Sequence, residues 1–192
     1  RKYRKQHGIR RNEVAVSIYA NRGMTLEAMI DQTNEVYLRR GMAVVHKLPT
    51  PVKIERVLKG GKVQGFLEKP STVDYYGVYR GRALVFEAKS TRERNRFPLA
   101  NIHEHQMVHM RQCLDQGAIV FAVVEFSKHD VRFYVPAKML LEAWDRAVSG
   151  GPKSIPFEAM NESCFAIPAG RGVLVDYLSV VDRILARKEG AS

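Results

Sequence analysis

Two short segments hold the residues best suited to chemistry: Thr72-Val-Asp74 and, thirteen residues beyond the aspartate, Glu87-Ala-Lys89. Two carboxylates can hold a hard divalent cation through oxygen, and a neighbouring ammonium can meet negative charge on a substrate. That chemistry requires the segments to meet, and the residues between them provide the means. Tyr75–Tyr79 and Arg82–Phe86 read as β-strands joined by a two-residue turn, Arg80-Gly81. Pairing across that turn sets Asp74 opposite Glu87 and Thr72 opposite Lys89. Side chains alternate along a strand, so these four share one face, while Val73, Tyr75, Leu84 and Phe86 form an apolar face. Directly opposed carboxylates lie about 5 Å apart at Cβ and repel each other, a poor structural choice unless a cation sits between them. The spacing by itself recurs by chance; the hairpin is what gives it weight.

The remaining elements must support this hairpin. Residues 24–40 have helical periodicity through Leu26, Met29, Ile30, Thr33, Val36 and Tyr37, and Gly41 ends the run. Glu27, Asp31 and Glu35 recur on the other side as a solvated face. Met42 to His46 reads as a strand. After Pro49-Thr-Pro51, Val52–Leu58 and Lys62–Leu67 flank Gly60-Gly61 as a second hairpin, pairing Ile54 with Leu67, Leu58 with Val63, and Lys53 with Glu68. A lone two-stranded ribbon is marginal in water, and its sparse hydrophobicity suits a projection with Lys59 and Lys62 at the tip. A helix over 99–116 closes at Gly117. Ala118–Phe126, apolar from Ala118 to Val124, reads as a central strand, followed by a strand at 131–135, a helix from Pro136 to about Val148, a Gly/Pro/Ser-rich stretch at 149–172, and a helix from Val173 to Arg187. The pattern predicts an α/β fold with a mixed sheet.

The chain has 192 residues, with 31 basic against 20 acidic, giving a net charge of +11. Such an excess attracts polyanions, nucleic acid above all. Residues 1–12 hold six Lys/Arg and no acid, so residues 1–21 read as a disordered basic arm suited to non-specific phosphate contacts. Within it, Val14 to Tyr19 is a short apolar patch assigned to no element. Residues 22–188 read as one domain. No apolar run approaches the roughly 18 residues of a membrane span. Cys113 and Cys164 have no metal-ligand spacing and read as reduced thiols of a cytoplasmic protein.

Other chemistries find little support. His103, His105 and His109 invite a zinc reading, but the zinc-protease pattern needs histidine at 107, where Met107 stands. There is no Gly-rich phosphate loop and no Gly-x-Ser-x-Gly elbow. Gln106, on a helix beside the sheet, has an amide long enough to reach a metal or its water.

The segments Arg22-Gly-Met-Thr-Leu-Glu27, His46-Lys-Leu-Pro-Thr-Pro51, Pro70-Ser-Thr-Val-Asp-Tyr-Tyr-Gly-Val-Tyr79, Phe86-Glu-Ala-Lys89, Phe97-Pro98 and His103-Glu-His-Gln106 resemble, in the same order, the RecU Holliday-junction resolvases. These are bacterial members of the PD-(D/E)xK nuclease superfamily, and the resemblance runs from about residue 21 to 180. It implies a restriction-endonuclease-like fold with a projecting hairpin stalk over 50–69, whose Gly-Gly tip is short for the family. It also implies a metal site of Thr72, Asp74, Glu87 and Gln106, with Lys89 stabilising the transition state. Glu27 resembles the helix glutamate of related archaeal resolvases, an accessory site residue.

The expected activity is therefore Mg²⁺-dependent cleavage of four-way DNA junctions, with Mn²⁺ able to substitute. The expected partners are junction DNA, a second copy of the chain and other recombination proteins, with no membrane. Lys59 and Lys62 on the stalk and Arg92, Arg94 and Arg96 in the loop after the site are the expected DNA contacts. Two alternatives stay open: a non-catalytic junction-binding or strand-exchange factor, and a nuclease acting on duplex DNA.

Overall fold

Eight consecutive residues of one strand, Ile119–Phe126 (β7), are all buried, which requires cover on both faces of the sheet. The computed structural model describes residues 24–67 and 72–190. The basic arm of residues 1–21, with its apolar patch, and Glu68 lie outside them.

The other sheet strands are Val44–Lys47 (β1), Tyr75–Tyr79 (β4), Arg82–Thr91 (β5), Val131–Pro136 (β8) and Phe165–Ala166 (β10), in the order β1-β4-β5-β7-β8-β10. Among the described residues only β5 and β7 pair in parallel. One face is covered by helices Leu26–Arg39 (α1) and Tyr177–Glu189 (α5), the other by Glu104–Asp115 (α2), Ala137–Val148 (α3) and Phe157–Ser163 (α4). The fold is α/β, a mixed sheet between two helical layers, as expected.

Strand alternation divides the core. Leu84, Phe86 and Ala88 of β5 face α1 and α5, and Val85 faces α2 and α3. On the first face four rings form a ladder across four strands. Tyr75 stacks on Phe86 at 4.7 Å, Phe86 on Phe121 at 4.8 Å, and Phe121 on Tyr134 at 4.3 Å. Beside it, Asp176 is 2 % exposed and accepts bonds from the Tyr37 hydroxyl and from two nitrogens of Arg171, tying the C-terminal segment to α1. That segment is not yet helical at Val173: the helix begins at Tyr177, and the buried Val173 and Val175 pack ahead of it in non-helical backbone. The Gly/Pro/Ser-rich stretch carries more structure than its composition suggests. It contributes Ser154–Pro156 (β9), which pairs with Arg96–Pro98 (β6), then α4 and β10. The helix expected over 99–116 is a short turn, Leu99–Asn101, followed by α2.

The stalk is present as Val52–Val57 (β2) and Val63–Leu67 (β3), a separate two-stranded sheet in which every residue is exposed. Its register differs from the expected one by two residues at Ile54, which faces Gly65 rather than Leu67, and by one residue nearer the turn, where Val57 rather than Leu58 faces Val63. The cause is the turn. Lys59–Gly61 form a three-residue loop, closed by the Leu58 N–H to Lys62 carbonyl bond of 2.7 Å, and a bulge follows between Ile54 and Arg56. Beyond the bulge the two-residue shift leaves Val52, Lys53 and Ile54 on their expected faces, whereas nearer the turn the one-residue shift exchanges the faces of Arg56 and Val57. Gly65 is required, because a Cβ there would stand 2.2 Å from the Lys53 carbonyl oxygen.

The ring ladder predicts where stability resides. Phe121→Ala should lower unfolding stability by about 3–5 kcal/mol in urea titration, since Phe121 is fully buried and touches rings on both sides.

Candidate active site

The hairpin forms with the expected register, from Tyr79↔Arg82 to Tyr75↔Phe86. Backbone pairing stops there, and side chains continue the connection. Asp74 Oδ2 accepts from the Ala88 N–H at 2.9 Å, and Glu87 Oε2 accepts from the Asp74 N–H at 3.1 Å. Each carboxylate thus caps the other strand's backbone, and the expected pair meets. The departure of the chain from the ladder has two consequences. Val73 turns into the core under α2 rather than sharing a face with Tyr75. Thr72 is exposed and lines an open cleft with Glu104, His105 and His109 of the α2 segment instead of lying opposite Lys89.

Glu87 is fully buried on the α2 face of β5. Its Oε1 takes two donors, the Lys89 ammonium at 2.6 Å and the Gln106 amide at 2.6 Å. Gln106 is held in turn by the start of its own helix, its Oε1 accepting from the His103 N–H at 3.0 Å. The amide therefore presents nitrogen to Glu87. To offer oxygen to a cation it would have to turn over and release the helix end.

Burial, then repulsion from Asp74, raises the Glu87 carboxyl from an ordinary value near 4.5 to about 7, against the opposing pull of Lys89. Lys89 retains 22 % side-chain exposure, so its ammonium reaches both the buried carboxylate and the surface.

A second charged group sits at the same sheet end. Glu27, in the first turn of α1, ion-pairs with Lys47 of β1, and Tyr75 donates to Asp31 at 2.7 Å. Glu27 and Asp31 are therefore engaged rather than merely solvated. The Glu27 bond is the first cause of the raised Lys47 pKa, to which Asp74 also contributes. Lys47 was absent from the sequence-derived candidates. Its sequence signal was its place in the His46-Lys-Leu-Pro-Thr-Pro51 segment, and the structure sets it opposite Tyr75. Arg92 and Arg94 are exposed in the loop leaving β5, and Arg96 is exposed at the start of β6. Arg92 and Arg94 line an open groove with Ser90, Thr91 and Asn101, and Arg96 is held 3.5 Å from Glu93.

The donor set suits a hard divalent cation. Asp74 and Glu87 offer oxygen, and their mutual repulsion is what such an ion would relieve. Among the described residues no group of three or more His, Cys, Asp or Glu side chains converges.

The model of the RecU family, Recombination protein U, matches residues 21–183. A protein of Limosilactobacillus reuteri named Holliday junction resolvase RecU is 41 % identical over 191 residues, spanning 95 % of this chain and 94 % of the relative. One of the same name from Geobacillus kaustophilus is 44 % identical over 171 residues, 86 % of each chain. A solved structure of Hjc, a Holliday junction resolvase of Archaeoglobus fulgidus, aligns at a TM-score of 0.43 and 9 % identity, covering 71 % of this chain and 92 % of that one.

The shifted carboxyl gives a pH prediction for metal-free protein. Between pH 4.5 and about 7 the folded state keeps a proton on Glu87 that the unfolded chain has released, so stability falls as pH rises. Chemical denaturation across that window should show a loss of up to about 3 kcal/mol. Glu87→Gln should flatten the slope; an unchanged slope would place its origin elsewhere.

Proposed function

The chain belongs to the RecU family, and from that premise we propose that it is a Mg²⁺-dependent endonuclease that resolves four-way DNA junctions as a homodimer. The observation that carries this reading is the buried Glu87 carboxylate paired with Asp74 and contacted by Lys89 at one end of the sheet.

Asp74 and Glu87 would hold the cation, which when bound polarises a phosphate and lowers the pKa of a coordinated water. The protein's own groups do the rest. Glu87 must be deprotonated to serve, and Lys89, Gln106 and the Asp74 N–H all stabilise its anionic form. Lys89, partly open to solvent, can turn its ammonium toward a phosphate oxygen as negative charge develops there. Gln106 orients the Glu87 carboxylate through its amide, and Thr72, in the adjoining cleft, can contact the DNA backbone or its bound water. Glu27 keeps the Lys47 ammonium near Asp74, where it adds positive charge to the phosphate path.

Arg92, Arg94 and Arg96 extend that path along the loop after β5 and would fix register on phosphates without reading sequence. Lys59 and Lys62 stand at the stalk tip, suited to the crowded phosphates of a junction centre. A junction offers two equivalent strands, and a two-fold dimer would present two sites to them symmetrically.

Purified protein should nick end-labelled four-way junctions in symmetric pairs when Mg²⁺ is present, and leave matched duplex intact. Asp74→Asn or Glu87→Gln should abolish cleavage with junction binding retained. Lys89→Ala should lower the single-turnover rate by about 10²–10³-fold. Binding without cleavage under any divalent metal would make the chain a junction-binding factor instead. Lys59→Glu with Lys62→Glu should reduce junction affinity severalfold more than duplex affinity in gel-shift titrations; equal losses would remove the stalk from junction recognition.

A further inference from the structure

The sheet edge farthest from β1 carries an arrangement that nuclease chemistry does not use. β10, only Phe165–Ala166, pairs with β8 and among the described residues has no strand on its outer side. Beside it lies an open groove of about 330 Å³, lined by Tyr134, Pro136, Cys164, Phe165, Ile184 and Arg187. Its walls are mostly apolar carbon, and a single type of charge stands at the rim.

That charge is held in place. Arg183 and Arg187, one helical turn apart on α5, both stack on the Phe165 ring, with guanidinium carbons 4.5 and 4.9 Å from its centroid. Both are exposed, and neither forms an ion pair among the described residues. Nearby arginines behave differently: Arg171 on the same face is engaged with Asp176 and Asp182. Two guanidiniums pre-ordered by one aromatic ring, with their donors unused, form a receptor for carboxylates at low ordering cost.

DNA phosphates are the other polyanion to consider. Position argues against them. Phe165 and Ile184 pack on the α1/α5 side of the sheet, whereas Glu87 and Gln106 face α2 on the other side, several strands away. An apolar groove also offers nothing to a phosphate backbone, while it suits an aliphatic or aromatic side chain.

We propose that this edge is a docking site for an acidic peptide segment of a partner protein, which lays an apolar side chain in the groove and places carboxylates on Arg183 and Arg187. The open side of β10 can add main-chain bonds to an extended segment, so anchor, charge and strand edge act together. The site lies apart from the cleavage centre, so peptide and junction DNA can be held at once.

The test is a fluorescence-anisotropy titration of full-length protein with a labelled Asp-Asp-Asp-Leu-Val-Phe peptide, against the same peptide with lysine in place of aspartate. The acidic peptide should bind saturably, and Arg183→Glu with Arg187→Glu should weaken it at least tenfold while leaving junction cleavage unchanged. Phe165→Leu, which keeps apolar volume but removes the ring, should weaken it as well, to a smaller extent. The proposal is overturned if the acidic and lysine peptides bind alike, or if the arginine variant binds the acidic peptide normally. It is equally overturned if that variant loses duplex DNA affinity, or if its oligomeric state shifts in sedimentation, since the edge would then serve DNA or a second copy of the chain.

Discussion

A carboxylate buried within the sheet governs this structure. Glu87 sits fully buried in the sheet, and an isolated charge there would be costly enough to neutralise itself. Three donors from three places hold it instead: the Asp74 N–H from the strand before the turn, the Lys89 ammonium from its own strand, and the Gln106 amide from α2. Even so its pKa stands near 7, so the donors do not cancel burial and the neighbouring Asp74. The residual cost is the one a divalent cation would remove. The carboxylate pair is thus left under-neutralised by the protein's own donors.

The rest of the fold keeps those three donors in range. Strand parity puts Phe86 and Glu87 on opposite faces of β5, so the residue before the carboxylate belongs to the ring ladder, which locks β4, β5, β7 and β8 in register. On the other face Met107 and Met110 pin α2 to the sheet, so its first turn delivers Gln106 to Glu87. Lys89 follows from parity alone. The site is accurate because each of its parts is the neighbour of a packed core residue.

The stalk obeys different rules. Every residue of β2 and β3 is exposed, so no core selects its register, and the glycine turn and the bulge set it instead. The bulge leaves Val52, Ile54, Val57, Val63 and Leu67 on one face and Lys53, Arg56, Gln64 and Phe66 on the other, with the Lys53 ammonium 5.8 Å from the Phe66 ring.

The hairpin of the candidate site, the central strand β7, α1 and the meeting of Asp74 with Glu87 and Lys89 were legible in the sequence. Each follows from a local rule of turn length or periodicity that a buried face then enforces. Other features were not: the register of the stalk, the turn of Val73 and Thr72 away from the ladder, the separate turn ahead of α2, the elements β9, α4 and β10 within 149–172, and the late start of α5. Each depends on backbone choices that local pattern leaves equally open. The same holds for Lys47, which gains meaning only because β1 lies beside Tyr75, and for Gln106, whose nitrogen faces Glu87 because its oxygen is taken by the start of α2. Residue types and their spacing determined which groups could do the chemistry. Which atoms of those groups face each other, and which charges are left without water, was decided by packing of elements distant in the chain, because burial and hydrogen-bond competition exist only once those elements meet.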